Sequence, residues 1–242
     1  MTQLDILIMA AGKGTRMKSR LPKVLQRLAG RPLLHHVLDQ AAHLQARSAT
    51  VITGHGAIEV EAATAALAGG SGTFDLKFVR QEPQLGTGHA VQQAVPHLRE
   101  DGTVVVLSGD VPLTRPDTLR ALVAASQAVP GGQLALLTVT LPDPAGYGRI
   151  VRGADGAVHG IVEHKDASEA QRAITEVYSG IMAVPARLLT PWLARLTNAN
   201  AQGEYYLTDI VAMAVADGLT VAAHRISDAL QVAGVNSPVQ LA

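Results

Sequence analysis

The sequence predicts an α/β architecture, with a mostly parallel central sheet covered by helices and a mixed or antiparallel region added at one end. Short β-branched or apolar runs alternate with longer stretches of helical period, the grammar of βαβ units. Hydrophobic residues make up 48% of the chain while aromatic ones make up 3%. A core built from Ala, Val, Leu and Ile in this way suits a sheet packed on both faces. From Leu134 onward the apolar runs crowd together between Pro and Gly turns, which marks the added region.

The elements follow in order. Leu4 to Met9 reads as a strand, Leu33 to Leu44 as a helix and Thr50 to Thr53 as a strand. Next come a helix from Ile58 to Leu67, a strand from Leu76 to Val79, a helix from Gly88 to His97 and a strong strand from Thr103 to Leu107. Beyond these, strands are expected at Leu134 to Thr140, Gly148 to Arg152 and Val158 to Glu163. Helices at Ala186 to Leu196 and Asp209 to Asp217 and a strand at Thr220 to Arg225 complete the pattern. The 242 residues fit one domain. Pro130, Gly131 and Gly132 mark the expected boundary between a first lobe, 1–130, and a second region, 131–242.

Twenty basic side chains balance twenty acidic ones, so no global positive field would hold a nucleic acid or an anionic membrane. Any phosphate site must be local. The chain has no cysteine, which excludes disulfides and thiolate zinc sites and is compatible with a reducing compartment. The apolar stretch from Ile6 to Ala11 is too short to span a bilayer, and its Gly, Lys and Arg neighbours do not fit a signal peptide. A soluble cytoplasmic protein is expected. Among nine histidines, His35 and His36 diverge on a helix, and His89, His159 and His164 lack ligand spacing, so no histidine metal site is expected. No G-x-S-x-G elbow or catalytic carboxylate pair supports hydrolase chemistry.

The first strand runs directly into AAGKGTRM, Ala10 to Met17, followed by Pro22 and Lys23. Gly12 and Gly14 remove Cβ atoms where backbone amides approach an anion, and Arg16 and Lys23 add positive charge suited to a triphosphate. A Walker loop needs four residues between its glycines, whereas Lys13 alone separates these two. A dinucleotide fingerprint needs a small residue at Met17 and an acid ending a second strand, but Asp39 falls in a helical pattern. A Gly-rich strand-to-helix turn with solvated charges accounts for the loop in isolation.

The loop is one of an ordered series: LPKVL, QLGTGHAV at Gln84 to Val91, GDVPL at Gly109 to Leu113, GYGRIVR at Gly146 to Arg152, VEHKDA at Val162 to Ala167, GEYYLTD at Gly203 to Asp209 and AGVN at Ala233 to Asn236. This series, spread over nearly the whole chain, resembles the uridylyltransferase domain of the bifunctional bacterial N-acetylglucosamine-1-phosphate uridylyltransferases. The resemblance implies a Rossmann-like nucleotidyltransferase fold and magnesium-dependent transfer of UMP from UTP to N-acetylglucosamine 1-phosphate, giving UDP-N-acetylglucosamine and pyrophosphate. It implies catalytic roles for Arg16 and Lys23, and nucleotide contacts from Ala10, Ala11, Gly12, Gly14, Thr15, Lys23, Gln81, Gly86, Thr87 and Asp110. It implies sugar contacts from Gly148, Glu163, Tyr178, Ser179, Tyr206, Thr208 and Asn236, with Asp110 and Asn236 as the magnesium ligands. Two positions also read independently of the resemblance. Asp110 follows a strand and so belongs at its carboxyl end, where open α/β sheets place ligands. Glu163 is a strand-end carboxylate able to accept sugar hydroxyls.

The chain departs from the family in two places. Tyr178 and Ser179 stand where relatives usually carry Asn and Thr, which removes an amide from the sugar side. The family's acetyltransferase β-helix, which trimerises the bifunctional proteins, is expected to be absent from these 242 residues, so a trimer is expected only where that domain is present. Other readings are a nucleotidyltransferase for another base or sugar phosphate, and a sugar-nucleotide-binding regulator without turnover. The short Arg16 to Lys23 spacing argues against a thymidylyltransferase, and the joint presence of Arg16, Lys23, Asp110 and Asn236 argues against a regulator.

Overall fold

The computed structural model describes residues 3–71 and 74–241, with backbone alone for 66–71. In chain order the strands are β1 (Gln3–Met9), β2 (Arg27–Leu28), β3 (Arg31–Pro32), β4 (Ser48–Thr53), β5 (Asp75–Arg80), β6 (Gly102–Ser108), β7 (Leu134–Thr140), β8 (Arg149–Arg152), β9 (Val158–Val162), β10 (Glu176–Pro185) and β11 (Val221–Ile226). The helices are α1 (Leu33–His43), α2 (Ala57–Ser71), α3 (Thr87–Ala94), α4 (Pro116–Ser126), α5 (Glu169–Arg172), α6 (Ala186–Ala194), α7 (Asp209–Ala216) and α8 (Pro238–Leu241).

Among the described residues the main sheet has nine strands in the order β11-β7-β10-β6-β1-β4-β5, with β8 and β9 branching from β10. β1 pairs in parallel with both β4 and β6. The chain therefore winds outward from β1 to β4 and β5, then returns to lay β6 on the other side. Such a reversal opens a crevice at the carboxyl ends of the strands, where doubly wound sheets bind ligands. β10 runs antiparallel to both β6 and β7. The α/β fold predicted from sequence, mostly parallel with antiparallel additions, is the fold observed.

The period-2 alternation of the central strands divides the core into two layers. Ile6 and Ile8 of β1 and Val105 and Leu107 of β6 pack with Leu34, Val37, Leu119 and Leu122 on one face. Leu7, Val104 and Val106 pack with Ala90, Val91, Leu189, Trp192 and Ile210 on the other. Helices thus cover both faces, and the polar chemistry is left to the strand ends.

The strands and helices expected from sequence are present, with ends shifted by a few residues. The helix expected from Gly88 to His97 divides into α3 and a 3-10 turn, Val95–His97. Sequence reading passed over the short β2, β3, α5 and α8 and two longer elements, α4 and β10. The apolar spacing of Leu119, Leu122 and Val123 buries one face of α4. β10 lies between β6 and β7, but its apolar run is broken by Tyr178, Ser179 and Gly180, where the pairing slips and Gly180 takes a positive φ of 88°.

The start of the sheet is tied by charge. Asp5 is buried and accepts from Arg47 Nη2 at 2.5 Å and Ser48 Oγ at 2.6 Å, while Arg47 also reaches Asp101 before β6. Removing Asp5 leaves the buried Ser48 hydroxyl without its acceptor and Arg47 with Asp101 alone. Asp5→Ala is therefore expected to cost about 3 kcal/mol, read as a lower urea midpoint at unchanged slope. A change below about 0.5 kcal/mol, the range of ordinary surface substitutions, would show that the pair holds nothing together.

Candidate active site

The loops leaving β1, β4, β5 and β6 converge on the crevice. After β1, the Ala10 amide donates to the Ile52 carbonyl at 2.9 Å, while the Ala11 carbonyl accepts from the His55 amide at 3.2 Å and Gln84 Nε2 at 2.9 Å. Gly14 has φ 57°, and a Cβ built there would lie 2.7 Å from Lys23 Cβ. The bare glycine lets the loop fold against the base of the Lys23 side chain. Lys23 Nζ then reaches Asp110 Oδ2 at 2.5 Å and Asn236 Oδ1 at 2.9 Å. The Val235 amide donates to the Asp110 carbonyl at 2.9 Å, which seats the C-terminal segment beside the loop after β6.

A cavity of about 310 Å³ lies over these groups, walled by Ala10, Ala11, Gly12, Lys23, Gln81, Gly86, Thr87 and Asp110, all expected from sequence. Gly14 and Thr15 lie outside its wall. Arg16 is exposed and makes no side-chain hydrogen bond or ion pair among the described residues. Gly86 precedes α3 with φ 107°, and a Cβ there would fall 2.7 Å from the Tyr205 carbonyl. The Gly88 amide donates to that same carbonyl at 2.7 Å, and Thr87 Oγ1 accepts from the Leu207 amide at 3.0 Å. The loop before α7 is thereby clamped onto the start of α3.

The residues expected on the sugar side gather near this clamp. Thr208 Oγ1 donates to Glu163 Oε1 at 2.8 Å, and a Cβ on Gly148 would sit 3.6 Å from the same oxygen. The Tyr178 amide donates to the Gly148 carbonyl at 2.9 Å. The Tyr178 hydroxyl is buried without a hydrogen-bond partner among the described residues, and burial pushes this phenol up, with the Glu163 charge adding to the effect. The Ser179 hydroxyl is directed into the sheet, donating to the Leu137 carbonyl at 2.8 Å and accepting from the Ile181 amide at 3.3 Å. The Tyr206 hydroxyl donates to Asp166 at 3.0 Å, and burial together with that bond pushes the phenol up to about 12.

Ser108, Gln84 and Glu204 also line the cavity and were not assigned from sequence. Gln84 opens the QLGTGHAV motif, so its position was visible although its bond to a backbone carbonyl was not. Asp110 and Asn236 offer hard oxygen donors, whereas no cluster of three or more His, Cys, Asp or Glu side chains forms a metal cage among the described residues.

With this geometry in place, the comparisons with known proteins are informative. The profile described as "MobA-like NTP transferase domain" matches residues 6–175. The chain belongs to this family. The "Bifunctional protein GlmU" of Paracidovorax citrulli (strain AAC00-1) is 80% identical over 242 residues, covering 100% of this chain and 50% of that protein. The protein of the same name from Acidovorax ebreus (strain TPSY) is 78% identical over 242 residues, again covering 100% and 50%. These relatives agree with the resemblance to the bifunctional bacterial proteins read from the ordered motifs, and the NTP transferase chain spans about half their length. A crystal structure of UDP-glucose pyrophosphorylase complexed with UDP-glucose superposes with a TM-score of 0.74 at 17% identity, covering 94% of this chain and 91% of that one, which shows a shared fold.

Within this NTP transferase domain, Glu163 is held above the ordinary glutamate value by burial, opposed by the Thr208 bond and reinforced by Asp209, Asp166 and Glu204. The folded chain thus binds this proton more tightly than the unfolded chain does, and stability falls as pH rises from the ordinary glutamate value through the raised one. Glu163→Gln keeps an oxygen for Thr208 and removes the buried charge. Calorimetry across this range should show a melting temperature at neutral pH equal to or above the parent's, with a smaller decline on the way there. A clear loss of melting temperature at neutral pH would mean that the carboxylate is stabilised where it lies.

Proposed function

We propose that the chain transfers UMP from UTP to N-acetylglucosamine 1-phosphate with magnesium, forming UDP-N-acetylglucosamine and pyrophosphate, and that it works in the cytoplasm. The observation that carries the reading is the convergence of Asp110 and Asn236 on Lys23 at a cavity whose wall includes Lys23, Asp110 and the buried Gln81. The ordered motifs and the relatives named Bifunctional protein GlmU support it. Among the described residues no helix is long and apolar enough to cross a membrane.

The donor set fits magnesium. Two hard oxygens, Asp110 Oδ2 and Asn236 Oδ1, already converge on one cationic atom, the Lys23 ammonium. Magnesium prefers one or two protein oxygens supplemented by substrate phosphates and water. When bound it would neutralise phosphate charge that builds up during transfer.

The chain's own groups supply position and charge. A sugar 1-phosphate has a second pKa near ~6 and is largely dianionic at neutral pH, so its oxygen attacks the α-phosphorus of UTP without a general base. The obstacle is the approach of two anions. Lys23 offsets charge at the α-phosphate, and the exposed guanidinium of Arg16 is free to turn toward the departing pyrophosphate. The loop from Ala11 to Thr15 presents amides to the phosphates, Gln81, Gly86 and Thr87 hold the uracil, and Glu163 accepts sugar hydroxyls beside Gly148, Tyr178 and Thr208. Ser179 and Tyr206 shape that side by fixing the β10 backbone and the loop before α7. Tyr178, where relatives usually carry an amide, makes the acceptor the point to test.

Pyrophosphate release measured with four NTPs against N-acetylglucosamine 1-phosphate, glucosamine 1-phosphate and glucose 1-phosphate should be highest for UTP with the N-acetylated acceptor. Equal rates for all pyrimidine triphosphates would reject the uridylyl assignment. In the same assay Asp110→Asn should lower kcat by about a hundredfold or more while leaving the melting temperature near the parent's. Near-parental turnover would remove Asp110 from the chemistry. Lys23→Ala and Lys23→Arg should both lose most turnover, Ala the more, because a planar fork does not replace a compact ammonium between two oxygens. Parental rates in both would make Lys23 a structural charge.

A further inference from the structure

Gln81 closes β5 on the side of the crevice, its amide bonded to the Thr53 carbonyl at 2.8 Å. Its side chain is only 5% exposed yet forms part of the cavity wall. The two ends of a primary amide have nearly the same shape, so the surroundings decide which end faces where. One end meets the Gly86 carbonyl at 2.8 Å, and a carbonyl only accepts. That end is the NH2 group. The same nitrogen lies 3.2 Å from His89 Nδ1. For this second contact to be a hydrogen bond, His89 Nδ1 must offer its lone pair, with the ring proton on Nε2. The amide nitrogen thus has a partner for each of its hydrogens, and among the described residues no protein donor engages Oε1.

A held carbonyl oxygen distinguishes pyrimidines. Uracil carries a hydrogen on N3 and donates to it, whereas cytosine carries a lone pair there and opposes it. A site built around a hydrogen bond discriminates strongly because the wrong ligand leaves a buried polar group unmatched. His89 lies behind Gln81 rather than on the cavity wall, in the first turns of α3, with its ring centroid 6.3 Å from that of Tyr205. We propose that His89 is a positioning residue that, together with the Gly86 carbonyl, locks the Gln81 carboxamide with its oxygen toward the base, thereby selecting uracil over cytosine nucleotides. The proposal rests on the uridylyl-transfer reading and assigns the base specificity of that site to a residue outside it.

Two substitutions separate this role from simple packing. His89→Phe keeps a ring beside Tyr205 but offers no acceptor. His89→Asn gives up the ring but places an amide oxygen near the position of Nδ1. The expected result is that Phe lowers the ratio of kcat/KM for UTP to that for CTP by about tenfold, chiefly through a higher KM for UTP, while Asn keeps the ratio near the parent's. A packing role predicts the opposite order, with Phe harmless and Asn damaging, and that result would overturn the proposal. It would equally be overturned by parental ratios in both variants or equal losses in both. The parent serves as a separate control. If it shows no preference for UTP over CTP, the uridylyl-transfer reading itself fails before any variant is compared.

Discussion

Three segments far apart in sequence meet at one ammonium group. Lys23 Nζ bridges a carboxylate after β6 and an amide oxygen near the C-terminal end of the described chain. That meeting depends on the winding of the sheet. Because β1 has parallel neighbours on both sides, the loops after β1 and β6 emerge side by side at their carboxyl ends. The glycine at 14 admits the Lys23 side chain, and the Val235 amide holds the last segment against Asp110. A cation between two hard oxygens marks where charge balance at this end of the sheet is most sensitive.

The protein has no net formal charge at neutral pH, so its capacity to hold anions rests on placement. Lys23 lies on the cavity wall while Arg16, outside that wall, is exposed. Glu163, half-buried and also outside the wall, lies close enough to Asp209, Asp166 and Glu204 for their charges to reinforce its raised pKa. A ligand beside these carboxylates is favoured if it is neutral and can share hydrogen bonds with them. Tyr178 is buried where β10 pairs with both β7 and β8, with its hydroxyl unpartnered among the described residues.

The parts of this arrangement visible in the sequence were those with a local signature. β1 and β6 announce themselves as apolar runs, and the Ala-Ala-Gly-Lys-Gly loop and Asp110 follow directly from them. β10 was missed because its turn residues and register slip interrupt the strand pattern, although the long-range pairing with β6 and β7 sustains the strand. Arg16 was expected, together with Lys23, to supply positive charge suited to a triphosphate, and the short 3-10 turn at Thr15–Met17 leaves it exposed while Met17 turns inward. The contacts of Gln84 and His89, both inside the QLGTGHAV motif, were hidden for a different reason. Gln84 donates to a backbone carbonyl, and His89 Nδ1 lies 3.2 Å from the side-chain nitrogen of Gln81. Neither interaction imposes a residue pattern along the chain.

In the proposed reaction a phosphate oxygen of the acceptor attacks the α-phosphorus of UTP at this crevice. Phosphorus NMR of the protein with UTP, N-acetylglucosamine 1-phosphate and magnesium follows every phosphorus at once. The α-phosphorus of UTP and the acceptor phosphorus are expected together in a new diphosphate diester, while the β- and γ-phosphorus leave together as pyrophosphate. Formation of UDP or UMP with the acceptor signal unchanged, or movement of the γ-phosphorus onto the sugar phosphate, would contradict it.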